Sequence, residues 1–585
     1  MLNQGSSGTA TASATTVMSD SQHSARRSGK DNEDISAIEL VDSGAEVHAS
    51  SRIISQQQNS RRRQIGKDAE PRNRSADGDR LELTDSTKQD DSKGTVKLSH
   101  IYPIHAVSRG SILSRESTTP TPSFVGFRNL AMIVLGEFPS HCAIFVESAN
   151  SAIAAVSNLR LVIENYSKYG VLIRFSRLGI SQKDILYCMF LTATIPLHLF
   201  IAIVIERLVA IPTVHYVASL RKSDDKGGNS HPKLGKTAGS ISILRPKPKY
   251  MWGLIVLLHS VNAMACLWVT TVVVYNSIYH PLLGTACEIH AVIVCLKVAS
   301  FALTNRDLRE SMLNSQPAPA IYNSAPYPKN LTLKNLSYFW WAPTLVYQPV
   351  YPRSPSFRPL FFVKRILEMV GLSFLIWFLS AQYAVPTLEN SLVHFHSLQF
   401  MGIMERLMKL ASISMAIWLA GFFCIFQSGL NALAEVMRFG DRSFYDDWWN
   451  SKSVGEYWRL WNKPVTNYFR RHIYVPLVRR GWKSATASVM VFFVSAVLHE
   501  LVVGVPTHNV IGVAFSSMIL QIPLIQVTTP LEKMNGPTSG IIGNCIFWFS
   551  FFIGQPLGVL LYYFAWNVSM GKSKMSEASG LGTTA

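Results

Sequence analysis

"FFVSAVLHELVVG", residues 492–504, is an apolar stretch with a serine, a histidine and a glutamate set in its middle. Joined to "SATASVMV" (484–491), it reaches about 20 residues, the length of a helix that crosses a bilayer. Only helices and closed barrels can satisfy their backbone in hydrocarbon. A run this long, without strand-like alternation, therefore predicts a helical span. Ionisable side chains are costly at that depth and mark function by default, so His499 and Glu500 call for an explanation.

The rest of the chain agrees with that reading. Of its 585 residues 48% are hydrophobic and only 16% charged, where a soluble protein carries about 25% charge. The apolar residues come in runs, with charge between them. The expected fold is an all-α polytopic membrane protein with roughly nine transmembrane helices, near 152–175, 185–210, 252–278, 284–303, 361–385, 404–433, 485–505, 510–528 and 541–566. Residues 1–120 are polar, and "SQQQNSRRRQIGKDAEPRNRSADGDR" has too little apolar surface to offset its ordering entropy, so they read as a disordered cytosolic tail. A membrane-embedded domain over 121–567 and a short polar C-terminal tail over 568–585 complete the organisation. The polar N-terminus predicts no cleaved signal peptide.

The net charge of +18 does not point to nucleic acid, since no DNA- or RNA-binding module accompanies it. Much of it lies in alternate loops. The 211–250, 304–360 and 438–484 loops are basic, whereas "NSIYHPLLG", "VPTLENSLVHFHSLQF" and "GVPTHNV" contain no Lys or Arg. That alternation predicts a cytosolic N-terminus and a lumenal C-terminus. The seven cysteines are scattered without CxxC or zinc spacing, so neither a structural disulfide nor a thiol active site nor a metal is expected.

One stretch breaks the pattern. "FRNLAMIVL" (127–135) begins like a span and "VSNLRLVIENYSKYG" (156–170) ends like one, but Glu137, Pro139, His141 and Glu147 stand between them. Proline and charge are costly there, and the two flanks joined directly make one helix of the right length. Codons for Gly136-Glu137 can form a splice-donor-like string and those for Ala149-Asn150-Ser151 a branch-like one. Residues 136–155 therefore read as a retained intron, against the alternative of a real insertion.

Chemistry concentrates in the 438–484 loop and the span after it. Trp448, Trp449, Trp458 and Trp461 beside Arg459, Arg470 and Arg471 suit either an interfacial element or a phosphate-rich ligand arriving from the cytosol. Asn462 stands near the loop's return to the membrane. Ser495 and His499, four residues apart, share a helix face. On chemistry alone His499 is either a satisfied packing residue or a base lining a polar cavity. Glu500 points to another face and reads as a structural partner.

"FYDDWWN" (444–450), "YWRLWNKP" (457–464), "RHIYVP" (471–476) and "SAVLHEL" (495–501) resemble the membrane-bound O-acyltransferase family, and within it the acyl-CoA:diacylglycerol/sterol acyltransferase branch. "FWWAPTLVYQPVYPRSP" (339–355), "ILQIPL" (519–524) and "GNCIFWFSFFIGQPLGVLLYY" (543–563) extend the likeness to the type-1 diacylglycerol acyltransferases over roughly residues 125–567. The resemblance implies His499 as catalytic base with Asn462 as its partner. It implies acyl-CoA binding by Phe444, Tyr445, Asp447, Trp448, Trp449 and Asn450. It also implies a reaction chamber lined by Trp461, Tyr474, Ser495, Gln521 and Gln555. Thr466 departs from the family pattern, which usually has His there.

The implied reaction transfers a fatty acyl group from acyl-CoA to diacylglycerol at the endoplasmic reticulum membrane. Acyl-CoA is a co-substrate, no cofactor is needed, and the resemblance implies a homodimer among membrane lipid. A sterol acceptor is the nearest rival. A transporter is a distant one, because no internal repeat or pair of broken helices appears.

Overall fold

The computed structural model describes residues 98–114, 122–135, 163, 165–172, 180–226, 249–396, 399–534 and 537–581. The suspected intron, most of the first expected span and most of the polar N-terminal region lie outside these residues. Among the described residues the fold is helical, with isolated backbone bridges only at Arg109/Asp441 and Arg353/Phe439.

Among the described residues seven helical stretches are long and apolar enough to cross a membrane: Gln182–Ser219, Trp252–Ser277, Pro281–Leu313, Phe400–Val436, Ser484–Gly504, Val513–Glu532 and Thr538–Ser569. They coincide with seven of the nine expected spans. The helix at the expected 361–385 span has the length but carries Lys364, Arg365 and Glu368 in its first half.

Helix α1 (Val125–Leu135) stands apart from the first packing group, which comprises α2 (Gln182–Thr194), α3 (Leu197–Lys226), α4 (Lys249–Ser277) and α5 (Pro281–Leu313). Pro196 separates α2 from α3 because it lacks the N–H that would continue the ladder. Within this group α5 is the hub, packing on α2, α3 and α4. The second group holds α6 (Leu333–Trp341), α7 (Pro359–Leu379), α8 (Val385–His396), α9 (Phe400–Phe422) and α10 (Leu430–Val436). Wide π-turns join α7 to α8 at Ser380–Ala384 and α9 to α10 at Phe423–Gly429.

The third group begins with the short helices α11 (Val454–Leu460), α12 (Lys463–Phe469) and α13 (Val475–Arg479). It continues with α14 (Ser484–Gly504), α15 (Val513–Ile519), α16 (Gln521–Lys533) and α17 (Pro537–Leu581). Helix α17 runs on through the polar C-terminal stretch and packs against α1, α9, α15 and α16.

One face of α5 organises the irregular chain between the groups. Lys297, Ser300, Thr304 and Asp307 follow three- and four-residue spacing, which places them on one side of the helix, and all are buried. Lys297 Nζ donates to the carbonyls of Phe339, Trp340 and Ala342 at 2.8, 2.9 and 2.9 Å, closing the C-terminus of α6. Ser300 Oγ accepts from Tyr347 N at 2.8 Å. Asp307 accepts from His100 N at 2.7 Å and Thr304 donates to the His100 carbonyl at 3.4 Å.

His100 belongs to the strap 98–114, which composition assigns to the polar tail but which packs onto the domain. Gln348 accepts from Ile104 N and His105 N, both at 2.8 Å, and donates to the His105 carbonyl. His105 bridges Asp441 and Thr344 at 2.9 and 2.8 Å. The composition of 1–120 hides this docking because it rests on backbone groups and two histidines, which carry little apolar signal.

Two of the Lys/Arg-free loops, 276–284 and 504–510, meet at one end of the bundle. Asp184 in the first turn of α2 accepts from Tyr279 N and His280 N at 3.4 and 3.2 Å. His508 donates to the Ile278 carbonyl at 3.0 Å and stacks on Tyr279. Ser569, late in α17, donates to Asn509 at 2.7 Å. Gly284 fits against this turn because a Cβ there would come within 3.0 Å of both Pro506 and Val274. The charge alternation in the sequence thus matches a real grouping in space.

Two outcomes are expected. Lys297→Met leaves the carbonyls of Phe339 and Trp340 without a donor, while Ala342 keeps the Thr344 N–H, at about 1–3 kcal/mol for each unsatisfied group, so thermal unfolding in detergent should begin below that of the parent. Unchanged unfolding would show that the lysine does not hold α6. The second concerns His100 and His472. Ser300 Oγ lies 2.7 Å from His472 Nε2, and His472 Nδ1 lies 3.0 Å from His100 Nδ1; the two facing Nδ1 atoms share one hydrogen, so one ring donates and the other accepts. Burial pushes His100 down to about 4, with Asp307 opposing and nearby arginines assisting, and burial pushes His472 down as well. A histidine held low when folded binds more protons when unfolded, so its stabilising contribution is full above about pH 6.5 and falls as pH drops towards 4. Replacing His100 with Gln should flatten the pH dependence of the unfolding midpoint between pH 6.5 and 4.

Candidate active site

His499 sits two-thirds of the way along α14. Its Nδ1 lies 2.7 Å from the Ser495 carbonyl one turn back, and the Ser495 hydroxyl is farther away at 3.4 Å. A carbonyl oxygen can only accept, so Nδ1 carries the hydrogen. The lone pair of the neutral ring is therefore on Nε2. That nitrogen makes no hydrogen bond among the described residues, and His499 is exposed. Ser495, expected in the chamber lining, is buried and fixes the ring through its backbone.

Glu500 has a different task. It accepts from Gly512 N at 2.8 Å, from Phe515 N at 3.0 Å and from the Tyr562 hydroxyl at 2.8 Å. The Tyr562 hydroxyl in turn accepts from Ala514 N at 3.1 Å. A carboxylate at the N-terminus of α15 satisfies donors that the helix leaves open. Glu500 thus locks α15 and α17 to the helix that carries His499, in line with its reading as a structural partner. Tyr562, with no role assigned from sequence, completes this lock.

Asn462 is the N-cap of α12, its Oδ1 accepting from Val465 N at 3.2 Å. Its amide nitrogen makes no hydrogen bond among the described residues. The next turns of α12 bring Tyr468 and Phe469 into a small core with Val491, Val494 and Leu498 of α14. The helix that begins at Asn462 therefore packs on the helix that carries His499. Thr466 donates to the Trp458 carbonyl at 3.0 Å, a local bond within the loop.

Trp458 is the residue that sequence reasoning passed over. Its ring meets Phe492 of α14 edge-on at 5.8 Å and its Nε1 donates to Gln521 Oε1 of α16 at 3.3 Å. It joins two segments of the expected chamber. The signal was present in "YWRLW" but was read as interfacial. Trp461 stacks on Tyr457 at 5.8 Å and also packs near Trp418 and Phe426. Gln555 on α17 leaves its Oε1 buried without a partner among the described residues. Tyr474 is not brought to His499. Its hydroxyl lies 2.6 Å from Ser484 Oγ at the start of α14, roughly 22 Å along the helix from position 499 at 1.5 Å per residue.

The FYDDWWN segment forms a core. Phe444 and Tyr445 are 3% and 2% exposed, and Trp448 and Trp449 are fully buried. The Trp448 ring is surrounded by Trp418, Phe422, Tyr457 and Trp548, with centroids at 5.0–5.9 Å. Trp449 Nε1 donates to the Ser123 carbonyl at 2.8 Å. Asn450 donates to the same carbonyl and to Asp447, and accepts from Gly126 N at 2.9 Å. Tyr445 donates to Gln427 at 2.7 Å. These side chains bind α1, α9, α11 and α17 to one another, and only Asp446, which pairs with Lys463, Asp447 and Asn450 keep part of their surface open.

Comparison with known proteins places this geometry. Residues 250–564 match the model of the membrane-bound O-acyltransferase family. The chain is 33% identical to diacylglycerol O-acyltransferase 1A of Glycine max, over 81% of this chain and 85% of that protein. It is 35% identical to diacylglycerol O-acyltransferase 1-2 of Oryza sativa subsp. japonica, over 79% and 85%. It is 36% identical to diacylglycerol O-acyltransferase 1 of Corylus americana, over 69% of each. Extended similarity together with a histidine base candidate in an apolar span makes the assignment plain: the chain belongs to the membrane-bound O-acyltransferase family.

Proposed function

We propose that this enzyme transfers a fatty acyl group from acyl-CoA to the free hydroxyl of 1,2-diacylglycerol, forming triacylglycerol and CoA. The acceptor is supported by the relatives that carry the diacylglycerol name. The chemistry rests on one observation, the unprotonated and unpartnered Nε2 of His499. As the alcohol oxygen attacks the thioester carbonyl, Nε2 takes its proton. The tetrahedral adduct then expels the CoA thiolate, and the imidazolium returns the proton to the sulfur. This sequence balances without a metal or resident cofactor.

The remaining groups take roles that fit their free valences. Asn462, its oxygen committed to the helix cap, has an amide N–H to offer to developing negative charge. Gln555, with a buried acceptor that lacks a donor, suits the hydroxyl of the acceptor lipid, because an unpaired buried amide oxygen is costly. Trp458 and Trp461 supply apolar walls that limit water and hence thioester hydrolysis. The FYDDWWN segment contributes mainly by holding four helices in place. Contact with acyl-CoA falls to Asp447 and Asn450, which with Asp446 form its open edge.

The enzyme is expected in the endoplasmic reticulum membrane, with the Lys/Arg-free end lumenal, the N-terminus cytosolic and the C-terminus lumenal. Assembly as a homodimer is expected from the family likeness.

Microsomes lacking other neutral-lipid acyltransferases, given labelled acyl-CoA with diacylglycerol and sterol together, test the reaction. Label is expected in triacylglycerol. His499→Ala should lower it by about 10²–10⁴-fold, the range of a lost general base, at unchanged abundance. Label chiefly in steryl ester would replace the acceptor and retain the mechanism, and full activity of the variant would remove His499 from the reaction.

Trp448→Ala is expected to act differently. Emptying a fully buried indole site costs about 3–5 kcal/mol, so the amount of folded enzyme should fall while activity per folded molecule stays near that of the parent. Normal abundance with lost turnover would instead mean that the indole touches substrate.

A further inference from the structure

Cys188 on α2 and Cys287 on α5 are 99 residues apart in sequence, yet their sulfurs lie 3.4 Å apart. Each is the seventh residue of its helix, so the two sit at matching depth. A buried clamp sets that register. Asp184, one turn before Cys188 on the same face of α2, holds the backbone N–H groups of Tyr279 and His280 at the entrance to α5. Gly284 then lets the first turn of α5 settle against Val274 and Pro506. The thiol contact is thus produced by the packing of one end of the bundle. That end is also where two of the Lys/Arg-free loops, 276–284 and 504–510, meet.

We infer that Cys188 and Cys287 are a disulfide-forming pair, a covalent modification site that staples α2 to α5 at the lumenal end of the protein. The inference rests on the orientation given above, because disulfides persist in the secretory lumen and not in the cytosol. Both are free thiols in the structure. A disulfide sulfur pair is about 2.05 Å apart, so closure needs a rotation of the side chains and a small approach of the helices. Cys188 is half-buried and Cys287 only 1% exposed, which sets the order of events.

The Cys188 thiolate attacks a disulfide of the lumen, low-molecular-weight or protein-borne. This forms a mixed disulfide and releases one thiol. Cys287 then attacks the Cys188 sulfur and releases the second thiol. Two protein thiols are oxidised and one disulfide is reduced to two thiols. The scattered spacing of the seven cysteines gave no sign of this pair.

The test uses the full chain in its native membranes, trapped with acid before any thiol exchange. Free thiols are alkylated under denaturing conditions, and the protein is digested and read by mass spectrometry. A peptide joining Cys188 to Cys287 is expected, with both residues unalkylated. The joined peptide should vanish in Cys188→Ser and in Cys287→Ser, leaving the partner alkylated. Full alkylation of both residues in the parent protein overturns the inference, whatever an added reagent forms afterwards. Protease access to a C-terminal tag in the same membranes separates the causes: a cytosolic tag means that the orientation fails, whereas a protected tag means that the pair itself does not close.

Discussion

A polar group that enters a membrane protein must find its partner inside the protein, and here one helix face supplies the partners for three separate stretches of chain. Lys297, Ser300, Thr304 and Asp307 on α5 gather the end of α6, the turn at Tyr347 and the strap at His100. Three stretches of irregular backbone thereby become a rigid rim. The buried ion pair of Arg309 with Glu206, one turn beyond Asn305, ties α3 to the same helix. The 438–484 loop meets that rim through His472, which lies 2.7 Å from Ser300 Oγ, and so is held where it packs on the span that carries His499.

The same logic explains a family motif that looks like a ligand site and behaves as masonry. Four aromatic side chains in FYDDWWN are almost wholly buried, and the polar members bond to backbone at Ser123 and Gly126. Asn544 adds to this by donating to the carbonyls of Trp449 and Ser451, both at 2.9 Å. A motif can therefore be indispensable to acyl transfer through the helices it aligns, with little of its own surface open to the substrate.

The sequence announced the helical spans because apolar runs of membrane length leave few alternatives, and seven spans stand where the hydropathy put them. His499 was legible because an imidazole is conspicuous among Val and Leu. The bond that fixes its tautomer was not legible, since any residue at position 495 offers a carbonyl. Asn462 was found through the family pattern. Its role as a helix cap follows from the Lys-Pro that begins α12, a local rule that the larger resemblance overshadowed. The docked strap and the Trp458 bridge depend on contacts across hundreds or tens of residues, and periodicity carries no trace of them. Tyr474 shows the converse, a residue placed in the chamber by likeness that the fold sets near the start of α14.

The first described span, Gln182–Ser219, is 38 residues long. At 1.5 Å per residue a straight rod of that length reaches roughly 57 Å, against a hydrocarbon slab of about 30 Å. Such a rod cannot stand upright within the slab. The break at Pro196 divides the mismatch, leaving α2 as a short arm with Leu186, Met189 and Phe190 exposed on its outer face and Asp184 clamped inward. Tilting and kinking are how a long apolar span fits a thinner hydrocarbon layer, and the break at Pro196 lets the two arms take different tilts, so that the clamp at Asp184 sets the angle of the first arm and not of the second.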